Sequence, residues 1–194
     1  MTWLAETMML SHGWRRFLML MVAGAVAATS APPVFFLPAL FIAIPVWIWA
    51  LDGAERKHSL LGRIFGPAFA IGFGFGLGYF TVALHWLGAA FIQQGDIFLV
   101  LMPFGILGLA AILAIFWGLG SALAHLMWTG GWLRIVTFTA TLALAEWARG
   151  HLFSGFPFDL IGYALTGNDQ LMQLASITGT YGLTLIAILL ATTP

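Results

Sequence analysis

Cysteine is absent from all 194 residues. That excludes disulfides, thiolate metal ligands and any cysteine nucleophile within them. Charge is almost as scarce: seven Lys and Arg and seven Asp and Glu make up 7% of the chain, and they cancel. A soluble domain carries about 25% charged residues, so this sequence cannot clothe a water-facing surface of its size. The balance offers no basic patch for nucleic acid. His12, His58, His125 and His151 share no metal-ligand spacing with each other or with carboxylates, so neither a metal site nor a cofactor is expected.

What the chain has instead is apolar surface, 61% of its residues. A helix of roughly 20 apolar residues crosses a bilayer core of about 30 Å, and an unpaired backbone group in hydrocarbon costs several kcal/mol. The expected fold is therefore all-α, a polytopic transmembrane helical bundle. Six stretches read as spans: about 17–30, 34–51, 66–87, 97–123, 132–148 and 171–191. Residues 1–16 read as a cytoplasmic N-terminal segment and residues 17–194 as one transmembrane domain. Arg15 and Arg16 precede the first span, Arg56, Lys57 and Arg63 lie between the second and third, and Arg134 opens the fifth. With alternating spans all six fall on one side, which the positive-inside rule makes cytoplasmic. Both chain ends are then cytoplasmic, and Arg149 alone lies on the far side.

Two features of the first 33 residues admit other readings. "WRRFLMLMVAGAVAAT" resembles a cleavable secretory signal, with a basic start, a short apolar run and small residues. The uncharged run continuing to Leu51 favours a retained span. "SAPP" (Ser30 to Pro33) breaks the first span from the second, so the two form either a spanning hairpin or a shallow re-entrant one.

Within the spans, "GFGFGLGY" (Gly72 to Tyr79) sets Gly72 with Gly76 and Gly74 with Gly78 as two small-xxx-small pairs. Such pairs let helices approach closely in lipid; the alternative is a groove kept open for an acyl chain. His85 and Trp86 close the third span, the tryptophan as an interfacial anchor and the histidine as either a wet side chain or one facing a cavity. Glu146 and Arg149 sit three residues apart on one helical face. They form either a structural ion pair or a head-group site in which the glutamate aims the guanidinium fork at phosphate or carboxylate. "SGFPFDLIGY" then breaks the helix with Gly155 and Pro157. Its aromatic side chains Phe156, Phe158 and Tyr163 populate an apolar loop of about twenty residues, a length that is often functional.

The order Glu146-x-x-Arg149-Gly150, Gly155-Phe156-Pro157-aromatic, Gly162-Tyr163 resembles apolipoprotein N-acyltransferase. The Gly-rich third span ending in Trp86, "GWLR" (Gly131 to Arg134) and the run from Gln173 to Leu183 agree with it. The resemblance spans about Arg15 to Ala191. It implies a multi-pass enzyme of the bacterial inner membrane that moves an acyl chain from a phospholipid donor to the N-terminal amino group of a diacylated lipoprotein. It also implies a Glu-Lys-Cys triad in a nitrilase-like domain, with the thiolate as nucleophile. No part of that domain lies within these residues. The expectation is an N-terminal membrane part that is inactive alone, with His85, Trp86, Glu146, Arg149, Phe156, Pro157, Phe158 and Tyr163 as lipid-binding candidates and no catalytic residue. Phe158 stands where the family often has Trp, which keeps a stacking surface but loses the indole N–H. The competing readings are a truncated, non-catalytic remnant and a lipid-binding membrane scaffold. A transporter is disfavoured, because no internal repeat or midplane charge is present.

Overall fold

The computed structural model describes residues 2–153 and 155–192; the domain boundary expected at Pro194 lies outside them. Among the described residues the chain is all helical, without a strand. The N-terminal segment is not plain: it forms α1 (Thr2–Leu10), which packs on α3 and buries Met8. After a two-residue break, α2 runs Gly13–Ala28, starting four residues before the expected span. Arg15 and Arg16 therefore occupy its first turn instead of preceding it. Arg16 is buried there and donates from Nη1 to the Gly53 carbonyl at 3.2 Å, tying the start of α2 to the end of α3.

Proline and glycine set the next boundaries. α3 (Pro38–Asp52) opens on a proline, whose missing N–H is no loss in a first turn. A short α4 (Leu60–Ile64), capped by Ser59, leads into α5 (Pro67–Ala83), again opened by proline. A 3-10 turn (Leu84–Leu87) and α6 (Gly88–Gln94) follow, and Gly95, at φ 105°, reverses the chain into α7 (Asp96–Leu126). α8 (Leu133–His151) extends one turn further than expected from its apolar residues alone. The expected loop carries a 3-10 segment (Ile161–Gly167), and the expected last span divides into the end of α9 (Asp169–Met172) and α10 (Ala175–Ala191), which kinks at Gly179.

The bundle centres on α5, which packs against α7 on one side and α2 on the other. The two glycine pairs divide that work. A Cβ at Gly72 or Gly76 would strike Trp117, Ser121 or Ala114 of α7, whereas one at Gly74 or Gly78 would strike Phe17 or Met21 of α2. A side chain at any of the four would meet a neighbouring helix, so both pairs serve close packing. Around them lies an aromatic core in which the Trp47 ring sits 4.1 Å from Phe75 and 5.2 Å from Phe138. The Trp47 indole N–H donates to Ser121 Oγ at 3.1 Å, as a buried polar group requires.

Two helical stretches are long and apolar enough to cross a membrane, Leu60–Gln93 and Ile97–Leu126; Pro38–Asp52 and Ala175–Ala191 are shorter apolar helices. Much of α7 is bare: Ile97, Val100, Phe104 and Ile112 are each 58% exposed or more. So large an exposed apolar face marks a surface that meets lipid or another protein surface.

Candidate functional site

The charged residues fall at the ends of the helices, and the contacts separate them into two groups. Arg16 meets Gly53, Arg56 donates to the Trp128 carbonyl, and Arg134 binds Asp52. These join the beginnings of α2 and α8 to the ends of α3 and α7. Glu146 and Arg149 lie four turns along α8, at its other end.

There the side chains do something neither sequence reading anticipated. Glu146 is fully buried and Arg149 is 2% exposed, yet they make no salt bridge with each other; among the described residues the salt bridges are Lys57–Glu55 and Arg134–Asp52. Glu146 turns toward α10. Its Oε1 accepts the Ile161 N–H at 3.0 Å, and its Oε2 accepts the Thr184 hydroxyl. Thr184 in turn accepts the Gly162 N–H at 3.3 Å. Arg149 turns toward the loop, donating from Nη1 to the carbonyls of Phe156 at 3.0 Å and Phe158 at 2.8 Å, with its guanidinium carbon 5.0 Å from the Phe80 ring centroid. The simple ion pair is therefore corrected: the two charges attract one another across space, but each spends its hydrogen bonds on other partners. The side chains diverge because each has backbone groups to satisfy, in a setting where an unpaired one is costly.

The result is a loop wired to α8. The Phe156 N–H donates to the Arg149 carbonyl at 2.9 Å, and Gly155 takes the left-handed φ of 71° that the turn requires. Phe153 and Asp159 share that region at φ 56° and 54°, a conformation non-glycine residues hold only where surroundings over-determine it. With its carbonyls turned inward to Arg149, the loop presents aromatic side chains outward. Phe158 is 53% exposed, 5.3 Å from Phe156 and 6.1 Å from Trp86 between ring centroids. The Tyr163 hydroxyl donates to the Pro157 carbonyl at 3.0 Å.

Of the eight expected residues, Trp86, Phe156 and Phe158 thus form one aromatic rim, and Glu146, Arg149, Pro157 and Tyr163 form the scaffold beneath it. His85 is exposed, its Nδ1 3.1 Å from the Val82 carbonyl, and reaches the group only electrostatically, through Asp159. Burial pushes the Asp159 carboxyl above its ordinary value, against the opposing pull of the Trp86 indole N–H, Arg149 and His85. Asp159 Oδ2 and the Nε and Nη2 of Arg149 are buried without partners. Thr184, Phe80 and Tyr79 are members that sequence reading missed. Thr184 lies 38 residues from Glu146, inside an ordinary apolar helix, and carries no local signal.

The site presents an exposed aromatic surface over a buried polar scaffold and, among the described residues, no group of three metal-ligating side chains. Residues 23–193 match the family model described as the apolipoprotein N-acyltransferase N-terminal domain. Over 193 residues, 98% of this chain, the sequence is 41% identical to an apolipoprotein N-acyltransferase of Rhodopseudomonas palustris and covers 35% of that protein. It is 42% identical to one of Bradyrhizobium diazoefficiens, again covering 35%, and 40% identical to one of Rhizobium etli, covering 36%. The chain spans just over a third of the length of these curated relatives. With the family model covering most of its residues, the chain belongs to the apolipoprotein N-acyltransferase family.

Proposed function

We propose that these residues are the membrane domain of an N-acyltransferase that completes bacterial lipoproteins, crossing the inner membrane six times with both ends in the cytoplasm. The loop of residues 152–167 forms part of the membrane-level floor on which acyl chains settle. The chains belong to a phospholipid donor and a diacylated lipoprotein acceptor, whose terminal amino group receives the acyl group. One observation carries this reading. Two fully buried charges are committed to holding a loop in one shape, and that loop turns an aromatic rim outward at the end of the bundle away from the cations. The bare apolar face of α7 supports the membrane setting.

The thioester step requires a thiolate, and these residues contain no cysteine. The nucleophile therefore belongs to a nitrilase-like domain of the complete enzyme, and this chain positions substrate beneath it. Arg149→Ala in a full-length relative tests the role. The expected result is a fall in acyl-enzyme formation of more than tenfold per unit of protein, because the floor loses its shape. Unchanged acyl-enzyme formation at normal protein level would overturn the proposal. A fall in protein level alone would leave a structural latch, which suits the lipid-binding scaffold better than the enzyme.

A further inference from the structure

The basic end of the bundle carries a site of its own. Arg56, Lys57 and Arg63 line a pocket of about 70 Å³ against Pro67 and His125. Glu55 shares that wall, so three cations face one carboxylate and a net charge of two is left over. Lys57 pairs with Glu55 at 3.5 Å, but the two guanidinium groups are not consumed by the fold. Arg56 gives Nη2 to the Trp128 carbonyl at 2.7 Å, and Arg63 gives Nε to the Lys57 carbonyl at 3.0 Å. Each guanidinium has five N–H donors, so most of both remain unspent.

Next to this pocket, and sharing Pro67 with it, lies an apolar groove of about 450 Å³ between α2 and α5. Phe17, Leu20 and Ile71 line its length and Arg16 lies beside its mouth. Glu55 attracts Arg16 electrostatically, so the two cavities form one charged neighbourhood. A small cationic pocket beside a larger apolar groove is complementary to one kind of molecule, an anionic group carried on a hydrocarbon chain. Basic pockets between helices on the cytoplasmic side are places where phosphate-bearing lipids bind.

The geometry points to a bound anionic phospholipid at this end of the bundle, its phosphate held by Arg56, Lys57 and Arg63 and one acyl chain laid between α2 and α5. This lipid is distinct from the acyl donor, because the aromatic loop lies at the opposite end of α8. The inference rests on the membrane reading proposed above and not on the acyl transfer.

Native mass spectrometry of the full chain, extracted in detergent and titrated with phosphatidylglycerol or phosphatidylcholine, tests it. Phosphatidylglycerol is expected to be retained at least tenfold more tightly. Arg56→Gln with Arg63→Gln weakens that retention roughly fivefold for each cation lost, while Arg15→Gln, exposed and outside both cavities, changes it less than twofold. Equal retention of the two lipids, or equal loss in the Arg15 variant, would overturn the site. Should the double variant fail to fold, the unaltered chain decides. Glycerol phosphate added at the lipid's own concentration leaves phosphatidylglycerol bound if the groove holds its chain, and displaces it if the pocket takes only a soluble phosphate, which would overturn the lipid. Failure to enter a bilayer at all would instead strike the membrane reading beneath.

Discussion

The two ends of α8 treat charge in opposite ways. At its start, Arg134 meets Asp52 at 2.8 Å, with the Trp128 indole N–H donating to the same carboxylate at 3.0 Å. That arginine side chain keeps 35% of its surface exposed and its aspartate 12%. At its finish, Glu146 and Arg149 are buried, attract each other only across space, and spend their hydrogen bonds on loop backbone groups and on Thr184. The difference follows from the solvent. Where the arginine still reaches solvent, an opposite charge together with the Trp128 indole N–H is an adequate partner. Away from water the expensive items are the N–H and C=O groups of an irregular loop, and a buried ion is stabilised only by contacts with excellent geometry. The first end fastens helices together, whereas the second shapes a surface.

The comparison breaks most visibly at Glu146. Replacing it by Ala strands the Ile161 N–H and the Thr184 hydroxyl in a buried site. Hydrogen bonds to a charged group contribute about 1.5–3 kcal/mol each, so a loss of about 3 kcal/mol is expected, read as a falling Tm of the solubilised chain. Glu146→Gln keeps an acceptor for Ile161 and should lose less than half as much. If Ala and Gln behave alike, the directed hydrogen bonds are not what the glutamate supplies.

Arg134→Gln is the counterpart at the other end. A pair whose arginine still reaches solvent contributes about 0–1 kcal/mol and weakens with salt. Stability should fall by less than 1 kcal/mol, and the difference should shrink between low and high ionic strength. A loss as large as that at Glu146, insensitive to salt, would erase the distinction between the two ends.

Much of this arrangement was legible before any coordinates. Each of the six apolar stretches contains a helix, and two helical stretches, Leu60–Gln93 and Ile97–Leu126, are long and apolar enough to cross a membrane. The Gly-Phe repeat of α5 announced close packing, though not that its two faces serve different neighbours. What stayed hidden was tertiary. Thr2–Leu10 forms a helix because Met8 finds a place against α3, not because its nine residues demand one. Glu146 and Arg149 stood out by rarity, yet spacing alone paired them with each other. Their true partners are backbone groups of residues 156–161 and a threonine 38 residues away, which no periodicity can indicate.

The smallest effect belongs to Asp159, where the loop holds a charge it would do better without. Burial raises its carboxyl above the ordinary 3.8, and Oδ2 has no partner. The folded state therefore binds the proton more tightly than the unfolded chain does. By linkage, this group favours the fold fully below pH 3.8 and loses that contribution as pH rises through its elevated folded value. At neutral pH the carboxylate is a small liability. Asp159→Asn removes the charge while keeping the shape and tolerating the left-handed backbone at φ 54°. The variant should melt at the same temperature as the parent or slightly above it at pH 7, with the gap closing as pH falls toward 4. A variant that melts lower at pH 7 would mean that the carboxylate is a net attractive partner of Arg149 after all. The far end of α8 would then hold a charge pair like the near end, only more deeply buried.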